Sequence, residues 1–216
     1  MIRKWARALQ WLQKNGYKMT AYKNKIKYDL ISEAIEGEIE SGDKALVKIN
    51  DNNILIAVAD GLGHGQEAAL AAKMALQSLS ENADKPLIEM VELCNASLVS
   101  TRGVVLSVAK IDAFGIHYLS VGNIASACWK KNETGTKKIE VFLSKSGIVG
   151  ENLPILEPRH IMCSPGDILM FASDGIDPAF IDEKIAGNDT ANIAKNIFAK
   201  YKKSTDDVLL LVAQLL

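Results

Sequence analysis

A chain of 216 residues with 48% hydrophobic and 24% charged residues has the length of one domain and enough apolar material for a sizeable core. The net charge of -1 hides an asymmetry: residues 1–28 carry eight Lys or Arg and no acid, leaving 17 basic against 26 acidic residues over 29–216. A basic arm thus precedes an acidic body, a balance that argues against sequence-general nucleic-acid binding by that body. No apolar run spans a bilayer, the N-terminus does not read as a signal peptide, and Cys94, Cys128 and Cys163 are too scattered for a zinc knuckle or redox dithiol, so buried thiols in the cytoplasm are expected.

In chain order, Ile2, Trp5, Leu9 and Leu12 recur at helical spacing, with Asn15-Gly16 as a stop. This arm, residues 1–24, has three open readings: docking on its own domain, docking on a partner, or an upstream extension with Met19 as the natural start. Residues 25–216 read as one domain. Strands are expected over Lys25 to Glu36, Lys44 to Asn50 and Asn53 to Asp60, the last two joined by a tight turn at Asp51-Asn52. Gln66 to Glu81 and Lys85 to Val99 read as helices, with Pro86 in the first turn of the second. Three strand-like runs follow, GVVLSVAKID, FGIHYLSVG and IASACWKKN, with a turn at Asp112-Ala113. Then come a polar turn at Asn132 to Gly135, the strand KKIEVFLS, a loop over 147–158, the strand RHIMCS, a turn at Pro165-Gly166-Asp167 and the strand ILMFASD. Ala179 to Lys184 and Thr190 to Tyr201 read as helices and Val208 to Leu215 as a closing strand. Elements in this order do not alternate βαβα, which points to an antiparallel α+β architecture. ILIAVA and LLLVA are apolar on both faces and should be covered on both.

Aspartates stand where apolar runs begin or end: Asp43 in SGD, Asp60 in VADG, Asp174 in FASDG, and Asp206 and Asp207 in TDDVLLLV. Carboxylates gathered at one sheet rim repel unless cations lie between them, and oxygen-only ligands suit Mg²⁺ or Mn²⁺. Glycine after the aspartate lets the backbone approach an ion. GLGHG itself is no P-loop, since Gln66 follows Gly65, and Gly61, Gly63 and Gly65 miss the dinucleotide spacing.

SGD, VADGLGHG, VGNI, FASDG and TDDVLLLV, in that order, resemble the metal-dependent protein phosphatases of the PPM family, most closely the compact bacterial SpoIIE/RsbX-like branch. The resemblance covers roughly residues 30–216. It implies a four-layer α-β-β-α sandwich of two antiparallel sheets flanked by helices. It also implies hydrolysis of phosphoserine or phosphothreonine with two Mn²⁺ or Mg²⁺ ions activating a bridging water. Carried over by position, Asp60 is the metal-bridging carboxylate, Gly61 a carbonyl ligand, and Asp43, Asp174, Asp206 and Asp207 the further metal-binding residues; Asp60 and Asp174 carry catalysis. Gly63, His64 and Asn123 are the substrate-side residues the resemblance suggests, and Arg102 and Arg159 are loop-adjacent candidates for phosphate contact.

Departures from the family pattern matter. Glu36, Gly37 and Glu38 occupy the region of the family's phosphate-gripping arginine, Leu62 replaces a histidine, and Asn123 stands where larger relatives have a third-metal aspartate. His64 reads either as an acid or phosphate donor or as a solvent-facing turn residue, and His117 as a structural strand residue. The partner the resemblance implies is a phosphorylated regulatory protein of a stress-signalling or partner-switching circuit, with a STAS-domain protein as the specific candidate. The alternatives are a catalytically silent domain of the same fold that serves docking, and a small-molecule phosphohydrolase.

Overall fold

The computed structural model describes residues 26–131, 137–185 and 187–216. The arm over residues 1–24 and the polar turn at Asn132 to Gly135 lie outside the described residues. Among the described residues, ten strands form two five-stranded sheets in which every pairing between strands is antiparallel. The first sheet runs β1 (Ile26–Glu33), β10 (Val208–Leu215), β9 (Ile168–Ala172), β6 (Ala125–Lys131), β7 (Lys137–Val141). The second runs β2 (Asp43–Ile49), β3 (Ile54–Gly61), β4 (Val104–Asp112), β5 (Gly115–Val121), β8 (Arg159–Ile161). Helices α1 (Gly65–Glu81) and α2 (Leu87–Ser97) cover the outer face of the second sheet, and α3 (Thr190–Tyr201) covers the first.

The side-chain alternation of strands explains the four layers. In β3, Leu55, Ala57 and Ala59 pack toward the helices, whereas Ile54, Ile56 and Val58 enter the layer between the sheets. In β10, Leu209, Leu211, Ala213 and Leu215 fill that same middle layer, while Val208, Leu210 and Val212 meet Ile193, Ala194 and Ile197 of α3. Both runs are buried on both faces, as their composition demanded. α1 meets its sheet through Ala68, Ala71, Ala72 and Ala75, small residues that let the helix ride close to the strands. A hydrogen bond of 2.9 Å between the Ser107 and Ser126 hydroxyls links β4 to β6 across the middle layer. Cys94, Cys128 and Cys163 are buried, and burial pushes their thiols up to about 12, 12 and 11.

Three local expectations are corrected. Ala179 to Lys184 is a short 3-10 turn, Pro178–Asp182, started by Pro178 behind the Asp177 carboxylate, which accepts from the Ala179 amide at 2.9 Å. Pro86 precedes α2 as its N-cap rather than lying in the first turn. The β4–β5 turn is at Ala113-Phe114, because Asp112 still belongs to β4 and its carboxylate accepts from the Phe114 amide.

Candidate active site

Strand parity decides which aspartates face inward. Asp60 lies two positions beyond Val58 and so points toward the layer between the sheets; Asp43, two before Ala45, does the same on β2. The two are direct cross-strand partners in the β2–β3 register. From the opposite sheet, Asp174 follows the end of β9 and Asp206 precedes β10. Asp60, Asp174 and Asp206 line one open pocket at the rim of the sandwich, together with Gly63, His64 and Asn123 and with Ile35, Leu62, Val105 and Thr205. Sequence-distant carboxylates from both sheets therefore converge.

The electrostatics follow from this crowding. Burial, then repulsion by Asp43, Asp174, Asp206 and Asp207, pushes the Asp60 carboxyl up to about 8. Asp43, only 2% exposed, is pushed up to about 7, chiefly by burial; the Ser173 hydroxyl offsets part of this, and Asp207, Asp174 and Asp206 add repulsion. Asp174 is raised by burial and by Asp206, against the lowering effect of Asn123 and Lys203. The Asp43 Oδ2 atom is buried without a hydrogen-bond partner, an arrangement that costs about 1–3 kcal/mol when nothing compensates it. Among the described residues, no three His, Cys, Asp or Glu side chains already stand in the arrangement of a closed metal cage. What the pocket offers is an excess of oxygen donors, one of them orphaned, and a hard divalent cation fits that chemistry.

The two terminal aspartates have different positions. Asp207 is 3% exposed, and its carboxylate accepts from the Ile35 amide at 2.8 Å and the Gly42 amide at 2.6 Å. Both its oxygens are thus engaged in tying the loop between β1 and β2 to β10. Asp206 lines the pocket, with its Oδ1 accepting from the Asp207 amide at 2.8 Å.

Glycines permit the close approaches around the rim. A Cβ on Gly61 would lie 2.1 Å from the Ala68 carbonyl oxygen in α1, and one on Gly175 would lie 2.1 Å from the Asp207 carbonyl oxygen. Gly63 has φ +86°, a conformation that favours glycine.

Asn123 donates from Nδ2 to Asp174 Oδ2 at 2.9 Å. His64 is the exposed N-cap position of α1, makes no capping hydrogen bond, and sits with Nδ1 2.6 Å from Glu38 Oε1. Arg102 stands beside Gly63, whereas Arg159 lines a different pocket with Leu119, Ser144 and Lys145, away from the carboxylates. His117 lies on β5 opposite His160 of β8, rings 4.7 Å apart, with Asp112 3.6 Å away. Two contacts were not visible beforehand. Lys203 donates to the Asp174 carbonyl at 2.8 Å and Glu38 holds His64; both sit in polar loop sequence with no pattern to mark them.

Comparison with known proteins agrees with this fold. The phosphoserine phosphatase RsbX of Bacillus subtilis (strain 168) is 36% identical over 92 residues, which cover 41% of this chain and 46% of the relative. The match therefore spans under half the length of that curated relative. A solved chain from work on the bacterial stressosome, as a modular system adapted to control secondary messenger signaling, superposes with a TM-score of 0.76 at 32% identity, covering 88% of this chain and 100% of that one. A crystal structure of RsbX in complex with magnesium superposes with a TM-score of 0.79 at 24% identity, covering 88% and 96%. The family model described as Stage II sporulation protein E (SpoIIE) matches residues 50–216, and the chain belongs to that family, with the sandwich fold of the PPM-type phosphatases.

Proposed function

We propose that this chain is a metal-dependent protein phosphatase that hydrolyses phosphoserine or phosphothreonine on a regulatory protein. The observation that carries the reading is the meeting of Asp60 from one sheet with Asp174 and Asp206 from the other in a single pocket. Asp43 stands behind Asp60 with its unpartnered oxygen. In this reading Asp43, Asp60, Asp174, Asp206 and the Gly61 carbonyl hold two Mg²⁺ or Mn²⁺ ions. When bound, such ions supply an activated water and positive charge for the phosphoryl oxygens.

The remaining work belongs to the protein's own groups. Asp207 uses both oxygens to fix the loop that leads into Asp43. Asn123 and Lys203 hold the side chain and the carbonyl of Asp174. The pocket opens at the protein surface, with the exposed Gly63 and His64 on its wall. An open rim of this kind suits a phosphorylated side chain presented by another protein better than a small ester enclosed on all sides. RsbX and the stressosome-derived structure support a substrate in stress signalling, and a STAS-domain phosphoprotein is the specific candidate. Among the described residues, no helix is long and apolar enough to cross a membrane.

The test is hydrolysis of a phosphoserine protein and of a generic aryl phosphate with added Mn²⁺. Turnover that depends on metal and disappears in Asp60→Asn supports the reading. Absence of turnover in the intact protein with both substrates would leave a docking domain of the same fold. Faster turnover of small esters than of phosphoproteins would redirect it to small-molecule hydrolysis.

A further inference from the structure

The acidic rim poses a problem for its own substrate. A phosphate monoester is anionic and must approach Asp60, Asp174 and Asp206, so a positively charged group beside the pocket has a clear task. Arg102 is placed for it. Its guanidinium lies against Gly63, close enough that a Cβ on that glycine would sit 2.7 Å from Nη1. Gly63 lines the pocket and carries no side chain, so nothing from that residue screens Arg102 from the carboxylate site.

Glu67, in the first turn of α1, holds Arg102 through an ion pair to Nη2. Both partners are largely in solvent, with side chains 50% and 71% exposed, and an exposed pair of this kind is weak. A phosphoryl group offers the guanidinium fork a stronger, bidentate match. Arg102 also sits directly before Gly103, whose backbone is tied down on both sides. The Gly103 carbonyl accepts from the Leu62 amide at 3.2 Å, and a Cβ there would meet Ile148 and Val149 at 2.6 and 2.8 Å. The arginine therefore projects from a fixed base beside the Asp60–Gly63 turn.

We infer that Arg102 is the residue with which this chain grips the phosphoryl group of its substrate, and that Glu67 is a competing anion that parks the guanidinium when no substrate is present. The inference rests on the phosphatase reading for its substrate, but phosphate binding by Arg102 can be measured without turnover.

The experiment compares the intact protein with Arg102→Ala, Arg102→Lys and Glu67→Gln in the presence of Mn²⁺. Calorimetry with inorganic phosphate gives the affinity, and hydrolysis of a phosphoserine peptide gives kcat and KM. Loss of a charge-assisted contact predicts roughly 10- to 100-fold weaker phosphate binding in Arg102→Ala, with the penalty mainly in KM. Arg102→Lys should fall in between, because it keeps the charge without the fork. Glu67→Gln should bind phosphate about two- to five-fold more tightly, the strength of a surface pair.

An arginine that merely neutralises Glu67 would make both substitutions act alike, and that result overturns the inference. Phosphate affinity within twofold of the intact protein in Arg102→Ala overturns it too, as does an intact protein that binds no phosphate. If the intact protein turns over peptide while phosphate affinity ignores Arg102, the inference fails and the phosphatase reading stands. If it binds phosphate through Arg102 but hydrolyses nothing, the phosphatase reading fails while Arg102 stands as a phosphate-binding residue.

Discussion

Asp43 and Asp60 face each other directly across the β2–β3 ladder, two carboxyls pushed up to about 7 and about 8 on adjacent strands. Like charges in directly opposed sheet positions destabilise. The pair is thus a standing electrostatic load that protons or cations relieve.

The sign of the resulting pH dependence is determined. Between about pH 4 and pH 8 the folded, metal-free protein retains protons on Asp43 and Asp60 that the unfolded chain has released, so stability falls as pH rises through this window. Thermal melts of metal-free protein should show a midpoint several degrees lower at pH 8 than at pH 5.5, and Asp60→Asn should flatten that slope. Added Mn²⁺ should raise the midpoint more at pH 8 than at pH 5.5, because protons compete for the same oxygens. A slope unchanged by Asp60→Asn would contradict this account.

Asp206 and Asp207 are neighbours with separable roles. Asp206→Asn removes charge from the pocket and should reduce Mn²⁺ affinity and turnover at least tenfold, with the melting midpoint of the metal-free protein unchanged or higher. Asp207→Ala instead strips the Ile35 and Gly42 amides of their acceptor and should cost about 2–5 kcal/mol in a denaturant titration. Equal stability losses in the two variants would refute the division.

Gly61→Ala should be among the most damaging single substitutions. Its Cβ would occupy a point 2.1 Å from the Ala68 carbonyl oxygen, well inside contact distance, so β3 or α1 must move. A loss above about 3 kcal/mol, or failure to accumulate as folded protein, is expected. Near-native stability in a urea melt would show that the helix can yield.

The Ser107–Ser126 hydrogen bond offers a double-mutant cycle through the middle layer. Either serine changed to alanine leaves a buried hydroxyl alone and should cost about 1–3 kcal/mol. The double variant should cost less than the sum, because no polar group is then stranded. Strict additivity in equilibrium unfolding would mean that the two hydroxyls do not depend on each other.

Much of this structure was legible in the residues. Thr190–Tyr201 and Val208–Leu215 agree with the expected bounds because each has a polar boundary, Asp189 before the helix and Asp207 before the strand, followed by clean periodicity. The gathering of Asp60 and Asp174 was also readable, since two apolar strands ending in Asp-Gly imply a common rim. Which of Asp206 and Asp207 faces the pocket was not, because that depends on a loop 165 positions away supplying the Gly42 amide. Lys203 and Glu38 were hidden for the same reason: their partners, the Asp174 carbonyl and the His64 ring, come from elsewhere in the chain. The brevity of Pro178–Asp182 was masked by side chains that suit either helix type, and only the Asp177 cap and the Phe180 contacts define it.

The bond from Gly42 to Asp207 has a further consequence. Segments near opposite ends of the described fold must both arrive before the loop into β2 is fastened, and such distant closures come late and slowly in folding. A half-built molecule, even one with β2 and β3 already joined, lacks the second wall contributed by β9 and β10. If the site works as proposed, its carboxylates come together only when both sheets are in place, so the site is complete only when the whole sandwich is.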